Sequence, residues 1–437
     1  MTFNKFKENV NVKKEVGWLL PGLEVKRWFA LIFLGSVMIV LGFMVLANIR
    51  PIYLTLEMIR KAALVLPSNF LAAVFICIGS VIFFKGWQKT TLSIMDMDTN
   101  KGNSSVLEKL YRRRKLNKGA KVVAIGGGTG LSMLLRGIKR YTNNITAIVT
   151  VGDDGGSSGR LREEMGILPP GDIRNCIAAL GDDEDLITEL FQYRFKTGEG
   201  LAGHSFGNLF LTALCSITGD MVRAVKESSK VLNIRGVVLP ATLDNMKLAA
   251  EFEDGRIIHG ESNIPEANGK IKTLFTEPSN CKALPEALTA IKEADLIILG
   301  PGSLYTSVIP NLLVAGIADA IAQSRAKKIY VCNIMTQPGE TTDYTVASHV
   351  NALIKHSKGR HIIDAVLVNN SLPENISSGY AASGSIPVKL DMENLAPIGI
   401  EIVSQKLIQE NKDGLVRHSS NRVARAVYYW YKKTMRK

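Results

Sequence analysis

The sequence predicts an α/β protein: a doubly wound, mostly parallel sheet with a β insertion, preceded by a two-helix transmembrane hairpin. From residue 120 onward, short β-branched runs alternate with stretches of helical periodicity, a pattern typical of βαβ units. Two of those runs end in glycine-rich turns, and two long uncharged stretches precede the whole pattern. We therefore expect a membrane hairpin over 28–87 and one large domain over 120–405.

The net charge of +13 over 437 residues is unevenly distributed. Lys and Arg are concentrated in the first 120 residues and the last 25, which favours a membrane surface over a nucleic-acid groove. No basic stripe inside a folded module is evident in the sequence, so we expect no nucleic-acid partner. The five cysteines are widely spaced without a C-x-x-C pair, which predicts buried thiols rather than a zinc site or disulfides.

The membrane hairpin is predicted from two apolar runs. Residues 28–47 form an uncharged run long enough to cross a bilayer, and 62–84 form a weaker run that Pro67 interrupts. Basic residues are dense before and after the pair, so the positive-inside rule places both ends in the cytoplasm. This predicts a multi-pass protein of the cell membrane with a basic N-terminus (1–27), a polar linker (88–119) and a cytoplasmic main domain. The alternative is two buried helices of a soluble domain.

A strand predicted at 122–125 runs directly into a glycine-rich turn and then a helix at 131–141. Glycines let a backbone approach a ligand closely, and the free N–H groups of a helix's first turn attract an anion. The spacing does not fit a P-loop and only partly fits G-x-G-x-x-G, so an ordinary strand-to-helix turn is the alternative. The predicted phosphate-binding residues of this first glycine turn are Gly126, Gly127, Gly128, Thr129 and Gly130.

The second predicted strand, 145–151, ends in a polar loop at the same edge of the sheet. Asp153 and Asp154 are adjacent there, and such a pair can hold Mg²⁺, bind a ribose hydroxyl or act as an acid or base. Hydroxyl and guanidinium groups that can bind phosphate follow this pair, and the alternative is a solvated polar loop. These predicted phosphate ligands are Ser157, Ser158, Arg160 and Arg162.

A turn of two prolines and a glycine, 169–171, introduces a further helix. Asp172 is a predicted N-cap, because a side-chain oxygen at this position can accept a hydrogen bond from a free N–H of the first turn. Arg174 and Asn175 lie in that first turn, where they can reach a ligand.

A helix predicted at 182–196 is followed by a flexible loop at 198–203 that can fold over a site. His204 and Asn208 come next, before an apolar helix, and we expect both to be polar ligands to a substrate. A His-Ser pair also invites interpretation as a nucleophile and its base. However, no G-x-S-x-G elbow surrounds Ser205.

The remaining segments extend the alternation of strands and helices. Asp-Gly at 254–255 between two extended runs predicts an antiparallel β insertion over about 235–280. A strand at 296–299 ends in a second glycine turn, which is expected to bind an anion by the same physics. Its predicted ligand-binding residues are Gly300, Gly302, Ser303 and Thr306. The other predicted elements are a helix at 311–322, strands at 329–332 and 365–368, a helix at 346–354 and a basic C-terminal helix within 406–437.

Six segments, taken in chain order, resemble the YvcK-type gluconeogenesis factors, which belong to the superfamily of 2-phospho-L-lactate transferase (CofD): GGGTGL, TVGDDGGSSGRLR, LPPGDIRN, HSFGN, GPGSLYTSVIPNLL and NIMTQPGET. The resemblance covers about residues 120–405. It implies a Rossmann-like core, binding of a UDP-sugar, notably UDP-N-acetylglucosamine, and a role in cell shape and wall synthesis during growth on gluconeogenic carbon sources. The hairpin departs from the short soluble members and resembles longer membrane-tethered versions.

Three functional hypotheses result. The first is a UDP-sugar-binding regulatory protein whose partner is a wall-synthesis or metabolic protein. The second is a Mg²⁺-dependent transferase of the 2-phospho-L-lactate transferase type, with Asp153 and Asp154 as metal ligands; the GGSSGRLR continuation departs from the transferase pattern. The third, a nicotinamide-dependent oxidoreductase, is suggested only by the first glycine turn. Mg²⁺ is the one cofactor to which the residues point, and catalysis and self-association are left open.

Overall fold

The computed structural model describes residues 50–63, 81, 114–181, 184–372, 384–410 and 416–436. The chain divides into two compact units, Met1–Arg114 and Lys115–Lys437. The second unit contains the central sheet, its core and every predicted ligand-binding residue.

The apolar runs predicted at 122–125, 145–151 and 296–299 form strands, because they are rich in β-branched residues and almost wholly buried. With these three, the described residues form twelve strands. They are β1 (Val122–Gly126), β2 (Ile145–Val149), β3 (Val237–Pro240), β4 (Lys247–Phe252), β5 (Ile257–His259), β6 (Ile271–Glu277), β7 (Leu296–Leu299), β8 (Lys327–Val331), β9 (Ala365–Asn369), β10 (Glu401–Gln405), β11 (Ile408–Glu410) and β12 (Val416–His418).

A seven-stranded parallel sheet forms the centre, in the order β10-β9-β8-β7-β1-β2-β3. The chain builds outward from β1 through β2 to β3, then returns to the other side of β1 at β7 and builds outward again. This is the doubly wound arrangement that the sequence predicts. Ligands of such sheets bind beyond the carboxyl ends of the strands where the order reverses, which here is between β1 and β7.

Helices cover the sheet with their apolar faces. On α2 the buried residues include Leu131, Leu134, Leu135 and Ile138, which share one helix face. The helices are α1 (Arg50–Ala63), α2 (Gly128–Ile138), α3 (Gly156–Met165), α4 (Gly171–Leu180), α5 (Glu184–Gln192), α6 (Phe206–Thr218), α7 (Met221–Val231), α8 (Asn263–Glu266), α9 (Pro285–Glu293), α10 (Ile309–Leu313), α11 (Ile317–Gln323), α12 (Val346–His356), α13 (Met392–Leu395) and α14 (Ser420–Thr434).

The predicted β insertion is present between β3 and β7. Strands β4, β5 and β6 form a separate antiparallel sheet in the order β5-β4-β6. The Asp-Gly pair at 254–255 lies in the connection from β4 to β5, as a hairpin predicts. The insertion therefore enters the chain between the two halves of the central sheet.

Several predicted boundaries are wrong by a few residues. The second strand ends at Val149 rather than at 151, and α2 begins at Gly128, so the first glycine turn already contains the start of the helix. Helix α3 begins at Gly156, inside what the sequence suggested was a loop. The single helix predicted at 311–322 is instead split into α10 and α11, because Gly316, with φ of 95°, ends the regular backbone between them.

The predicted transmembrane runs, 28–47 and 62–84, lie almost wholly outside the described residues, as do 1–27 and most of the linker 88–119. Part of the connection between the runs is the helix α1, on which Tyr53 is exposed. In the described parts of the chain, none of the helices is both long enough and apolar enough to span a bilayer.

The basic C-terminal helix, α14, packs on the main domain. A Cβ on Gly137 of α2 would overlap the backbone of Ser420, so the two helices approach closely. Tyr141 stacks on Tyr428 with ring centroids 4.5 Å apart. The buried face of α14 consists of Val423, Ala424, Val427, Trp430 and Tyr431.

Candidate functional site

The two glycine turns meet at the reversal of strand order, and they pack against each other. A Cβ on Gly130 would overlap the carbonyl oxygen of Pro301, and a Cβ on Gly302 would lie 3.4 Å from the carbonyl oxygen of Gly127. The N–H of Gly300 donates to the carbonyl of Ile125 at 2.8 Å. These glycines therefore allow one turn to approach the other, which is a structural role that their sequence pattern does not distinguish from phosphate binding.

A carboxylate from the neighbouring helix fills the first glycine turn. The N–H of Gly128 donates to Asp172, and a Cβ on Gly127 would lie 2.5 Å from Asp172 Oδ2. Burial, followed by the charge of Asp153, raises the pKa of Asp172 to about 6. The predicted N-cap role of Asp172 is wrong, because α4 begins one residue earlier and Pro170 is its N-cap. Asp172 instead accepts a hydrogen bond from the N–H of Gly128, a group that the sequence predicts to bind phosphate.

A polar cavity of about 190 Å³ lies next to this carboxylate, where the starts of three helices converge. The start of α3 contributes residues 155–158, and α6 contributes Asn208. Helix α4 contributes Gly171, Asp172, Arg174 and Asn175. Helices α3 and α4 have no side-chain N-cap, so their first-turn N–H groups are available to an anion. The cavity therefore has the character of an anion site.

Its inner wall is a hydrogen-bonded trio of buried side chains. Ser157 Oγ lies 2.9 Å from His204 Nδ1, and Asn208 Nδ2 donates to the same Ser157 Oγ at 3.0 Å. Burial, followed by the charge of Arg160, lowers the pKa of His204, which favours the neutral ring beside Ser157. His204 thus supports the cavity wall from behind.

Two buried polar atoms of the cavity residues have no hydrogen-bond partner in the described part of the chain: Arg174 Nε and Asn208 Oδ1. The other guanidinium nitrogens of Arg174 donate to Ser205 Oγ and, at 3.0 Å, to Asn175 Oδ1. Ser205 is therefore a helix cap and an acceptor for arginine, and the nucleophile interpretation gains no support from its contacts. Buried polar atoms without a partner are rare in folded proteins, and in a cavity they indicate a ligand.

Arg194 also lines the cavity, although no sequence motif marks it as a ligand-binding residue. It donates to the carbonyl of Gly203, which closes the loop 198–203 next to the site. Arg160, which is exposed like Arg194, donates to the carbonyl of Ala202 at 3.0 Å and does not line the cavity. The two arginines hold the same loop, and only Arg194 faces the ligand space.

The two adjacent aspartates have different roles. Asp153 lines the cavity, and its Oδ1 accepts the N–H of Gly155 at 3.0 Å. Asp154 accepts the N–H groups of Glu261 and Ser262 at 2.8 and 3.0 Å with its two oxygens. Asp154 therefore fastens the β insertion to the polar loop.

Arg162, which was predicted to bind phosphate, is buried in the same junction. It donates to Asn245 Oδ1 from Nε and Nη2, at 3.0 and 2.6 Å, and to the carbonyl of Met246 at 2.6 Å. These hydrogen bonds connect the guanidinium group of Arg162 to the segment that leads into the insertion.

The hydroxyl groups of the second glycine turn bond to the segment that follows β8. Gln337 Nε2 donates to Ser303 Oγ at 2.7 Å, and Thr306 Oγ1 donates to Glu340 at 3.3 Å. Burial raises the pKa of Glu340 to about 7. Ser303 and Thr306 are thus fixed by protein groups next to the reversal of strand order.

Glu261, on the insertion, completes an acidic group near this edge. Burial, together with the charges of Asp153, Asp154, Asp172 and Glu340, raises its pKa to about 8. Within the described ranges, however, no three or more His, Cys, Asp or Glu side chains are arranged to hold a metal ion. A Mg²⁺ ion would depend on Asp153 and Asp172 together with ligand oxygens, a mode that magnesium commonly uses.

The structure thus gathers only part of the predicted site. The predicted residues that line the cavity are Asp153, Ser157, Ser158, Arg174, Asn175 and Asn208. The predicted residues that lie outside its lining are Gly126, Gly127, Gly128, Thr129, Gly130, Asp154, Arg160, Arg162, His204, Gly300, Gly302, Ser303 and Thr306. The sequence does not predict Asp172, Arg194, Glu261 or Glu340 as ligand-binding residues. Asp172 and Glu340 nevertheless carry a signal, because they lie in the motifs LPPGDIRN and NIMTQPGET.

Comparison with known proteins agrees with this architecture. Residues 122–408 match the profile of the family described as 2-phospho-L-lactate transferase CofD. A gluconeogenesis factor homologue from Nostoc sp. (strain PCC 7120) is 53% identical over 419 residues, which are 95% of this chain and 92% of that protein. The gluconeogenesis factor of Bacillus subtilis (strain 168) is 53% identical over 305 residues, 70% of this chain and 96% of that protein.

A solved structure also matches. The crystal structure of a Bacillus halodurans protein of the UPF0052 family has a TM-score of 0.68 and 51% sequence identity, and the match covers 70% of this chain and 98% of that one. The profile match, the relatives and the shared fold together identify the family. The chain belongs to the CofD family, alongside the gluconeogenesis factors.

Proposed function

We propose that the main domain binds a UDP-sugar, with UDP-N-acetylglucosamine as its ligand, and that it acts as a regulatory protein for cell shape and wall synthesis during gluconeogenic growth. One observation carries the proposal: the cavity at the starts of α3 and α4 contains the unpartnered Arg174 Nε and Asn208 Oδ1. Uncapped helix starts and guanidinium groups bind phosphate oxygens, which every nucleotide sugar supplies.

Regulation rather than turnover is supported by the roles of the polar residues. Ser157 is fixed between His204 and Asn208, and Asp154 is occupied by two backbone N–H groups of the insertion. Ligand binding beside this junction can therefore change the position of the insertion, which offers a surface to a wall-synthesis or metabolic partner. A coupling of about 1–3 kcal/mol between ligand and partner is sufficient for such control.

A second candidate is a Mg²⁺-dependent transferase. The family profile is named for a transferase, and Asp153 and Asp172 both line the cavity. These carboxylates fit a Mg²⁺ ion that also binds ligand phosphates, where the metal would neutralise charge on the leaving phosphate.

Titration of the full chain separates the two candidates. UDP-N-acetylglucosamine, NADP and GTP are added with and without Mg²⁺, while binding heat and released UMP or UDP are measured. Saturable binding of UDP-N-acetylglucosamine without release supports the regulatory proposal. Release that depends on Mg²⁺ supports the transferase, and a preference for NADP contradicts both.

The membrane anchor is a separate proposal, since the runs 28–47 and 62–84 supply its support from sequence alone. We propose that they tether the domain to the cytoplasmic face of the cell membrane. Extraction of membranes with alkaline carbonate tests this: an anchored chain stays in the pellet, and a chain that is released into the supernatant contradicts the proposal.

A further inference from the structure

The cavity at the starts of α3, α4 and α6 is polar throughout. Among the described residues that line it, there is no aromatic or aliphatic side chain. A pyrimidine base needs an apolar or aromatic surface, whereas a phosphate and sugar hydroxyls need donors and acceptors of hydrogen bonds. We propose that this cavity takes the sugar-phosphate end of the ligand and leaves the base outside, an inference that rests on the proposed binding of a nucleotide sugar.

The hydrogen-bond donors in the cavity favour a phosphate group. Arg174 Nε is buried without a partner, and the guanidinium group is held in place by Ser205 and Asn175. Arg194 lines the same cavity, as do the uncapped starts of α3 and α4. Fixed guanidinium groups and helix N-termini together favour a phosphate over a neutral group.

A buried hydrogen-bond acceptor in the cavity, Asn208 Oδ1, favours a sugar group. Asn208 is 1% exposed, and its Oδ1 has no partner among the described residues. The amide is held by the trio, in which Asn208 Nδ2 donates to Ser157 Oγ at 3.0 Å. Asn208 Oδ1 is thus left to accept a hydrogen bond from a sugar hydroxyl or an acetamido N–H.

Two carboxylates in the cavity lining also favour a sugar group. Asp153 and Asp172 line the cavity beside the donors, and carboxylate oxygens accept hydrogen bonds from sugar hydroxyls. A ligand group that carries only phosphate would leave these acceptors and Asn208 Oδ1 unsatisfied. A group with a phosphate and several hydroxyls satisfies both the donors and the acceptors of the lining.

Calorimetric titration of the full chain tests this assignment with N-acetylglucosamine 1-phosphate, UMP and UDP-N-acetylglucosamine. We expect the sugar phosphate to compete with the nucleotide sugar and to bind at least about 10-fold more tightly than UMP, as one or two additional hydrogen bonds predict. This comparison needs no variant. Asn208→Ala is expected to weaken binding of both sugar ligands by about 10-fold and to leave UMP within about 2-fold.

Thr212→Val is the matched control on the same helix. Thr212 is buried and donates to the carbonyl of Asn208 at 2.8 Å, but it does not line the cavity. All three affinities should stay within about 2-fold in this variant. If Asn208→Ala does not fold, the ligand comparison with the unmodified chain decides the assignment by itself.

The outcomes distinguish this inference from the proposed function. If UDP-N-acetylglucosamine binds but UMP binds as tightly as the sugar phosphate, or if Asn208→Ala weakens UMP equally, the assignment of the cavity is overturned and nucleotide-sugar binding stands. If the sugar phosphate binds and UDP-N-acetylglucosamine does not, the assignment stands and the proposed function fails. If neither sugar ligand binds, both are overturned.

Discussion

Glu261 shows how a single carboxyl group can set the pH dependence of stability. Its pKa is raised to about 8 by burial and by four nearby carboxyl groups, whereas an unfolded chain restores the ordinary value of 4.5. A raised folded-state pKa contributes stability at low pH, and this contribution is lost as the pH rises through 8. We expect Glu261→Gln to be more stable than the unmodified chain above pH 8, by about 1–3 kcal/mol, and nearly equal to it at pH 5.

Thermal unfolding between pH 5 and 9 measures this difference. Glu266→Gln is the control, because Glu266 is exposed on α8 of the same insertion. It should follow the unmodified chain at every pH. A Glu261→Gln variant that gains no stability at pH 9 would show that Glu261 ionises there without penalty.

Asp154 provides a second prediction at the residue scale. The sequence favoured it as a ligand or metal residue, but both of its oxygens accept backbone N–H groups of the insertion. Asp154→Ala should therefore lower the free energy of unfolding by about 1–3 kcal/mol and speed hydrogen exchange in residues 260–264. Asp154→Asn keeps one acceptor oxygen and should lose about half as much.

Denaturant unfolding and amide exchange of the ligand-free chain provide the measurement. A variant that loses affinity for UDP-N-acetylglucosamine, with its unfolding free energy and exchange rates unchanged, would restore the role in ligand binding that the sequence suggested.

At the scale of elements, the contact between the two glycine turns is the feature most sensitive to substitution. Gly130→Ala places a methyl group on the carbonyl of Pro301, and backbone on both sides resists movement. We expect a loss of at least about 2 kcal/mol, which outweighs the gain in helix propensity. Gly126→Ala is the matched control, since its nearest neighbour would lie at 3.7 Å, an ordinary contact distance.

Thermal unfolding of the two variants gives the comparison. A Gly130→Ala chain as stable as Gly126→Ala would mean that the turns separate readily, and a phosphate could then reach the turn N–H groups at which the sequence predicts anion binding.

The helices and strands also show how much of the fold can be predicted from the sequence alone. Apolar β-branched runs such as Val122 to Ile125 identify strands because a strand buried on both faces needs little else, and the order of helices and strands then limits the topology. Side-chain direction is different. The bond from Gly128 to Asp172 depends on how α4 lies against α2, and nothing local to either segment specifies that placement.

Contacts between residues that lie far apart in the sequence made the site prediction incomplete for the same reason. Asp154 meets Glu261 and Ser262 only because the insertion folds back over the polar loop. Arg194 was overlooked because a single arginine at the end of a helix usually faces solvent. Arg174, Asn175 and Asn208 were found because polar residues at helix starts beyond a parallel sheet are a recurring type of ligand site.

For the whole molecule, the division into two units predicts independent folding of the second. Lys115–Lys437 contains the complete sheet, and the Bacillus subtilis relative aligns over 96% of its own length while covering 70% of this chain. We expect a fragment of residues 115–437 to unfold cooperatively, with a midpoint within about 3 °C of the full chain, which corresponds to no more than about 2 kcal/mol.

Circular dichroism at increasing temperature tests this expectation. A second fragment that also lacks residues 419–437 is the informative comparison, because it would expose the buried face of α14, including Trp430, and should melt far lower. A fragment of 115–437 without a cooperative transition would show that the first unit is needed for the fold.

The position of β1 at the centre of the sheet also governs how the protein is made. Val122 of β1 pairs with Ile145 of β2 soon after synthesis, but its other neighbour, Leu296 of β7, emerges from the ribosome about 170 residues later. At about 5–20 residues per second, one edge of β1 therefore stays unpaired in the nascent chain for roughly 10–30 s. An open strand of this kind recruits other strands, so slow translation of the insertion should favour misassembly of newborn chains unless a chaperone covers β1.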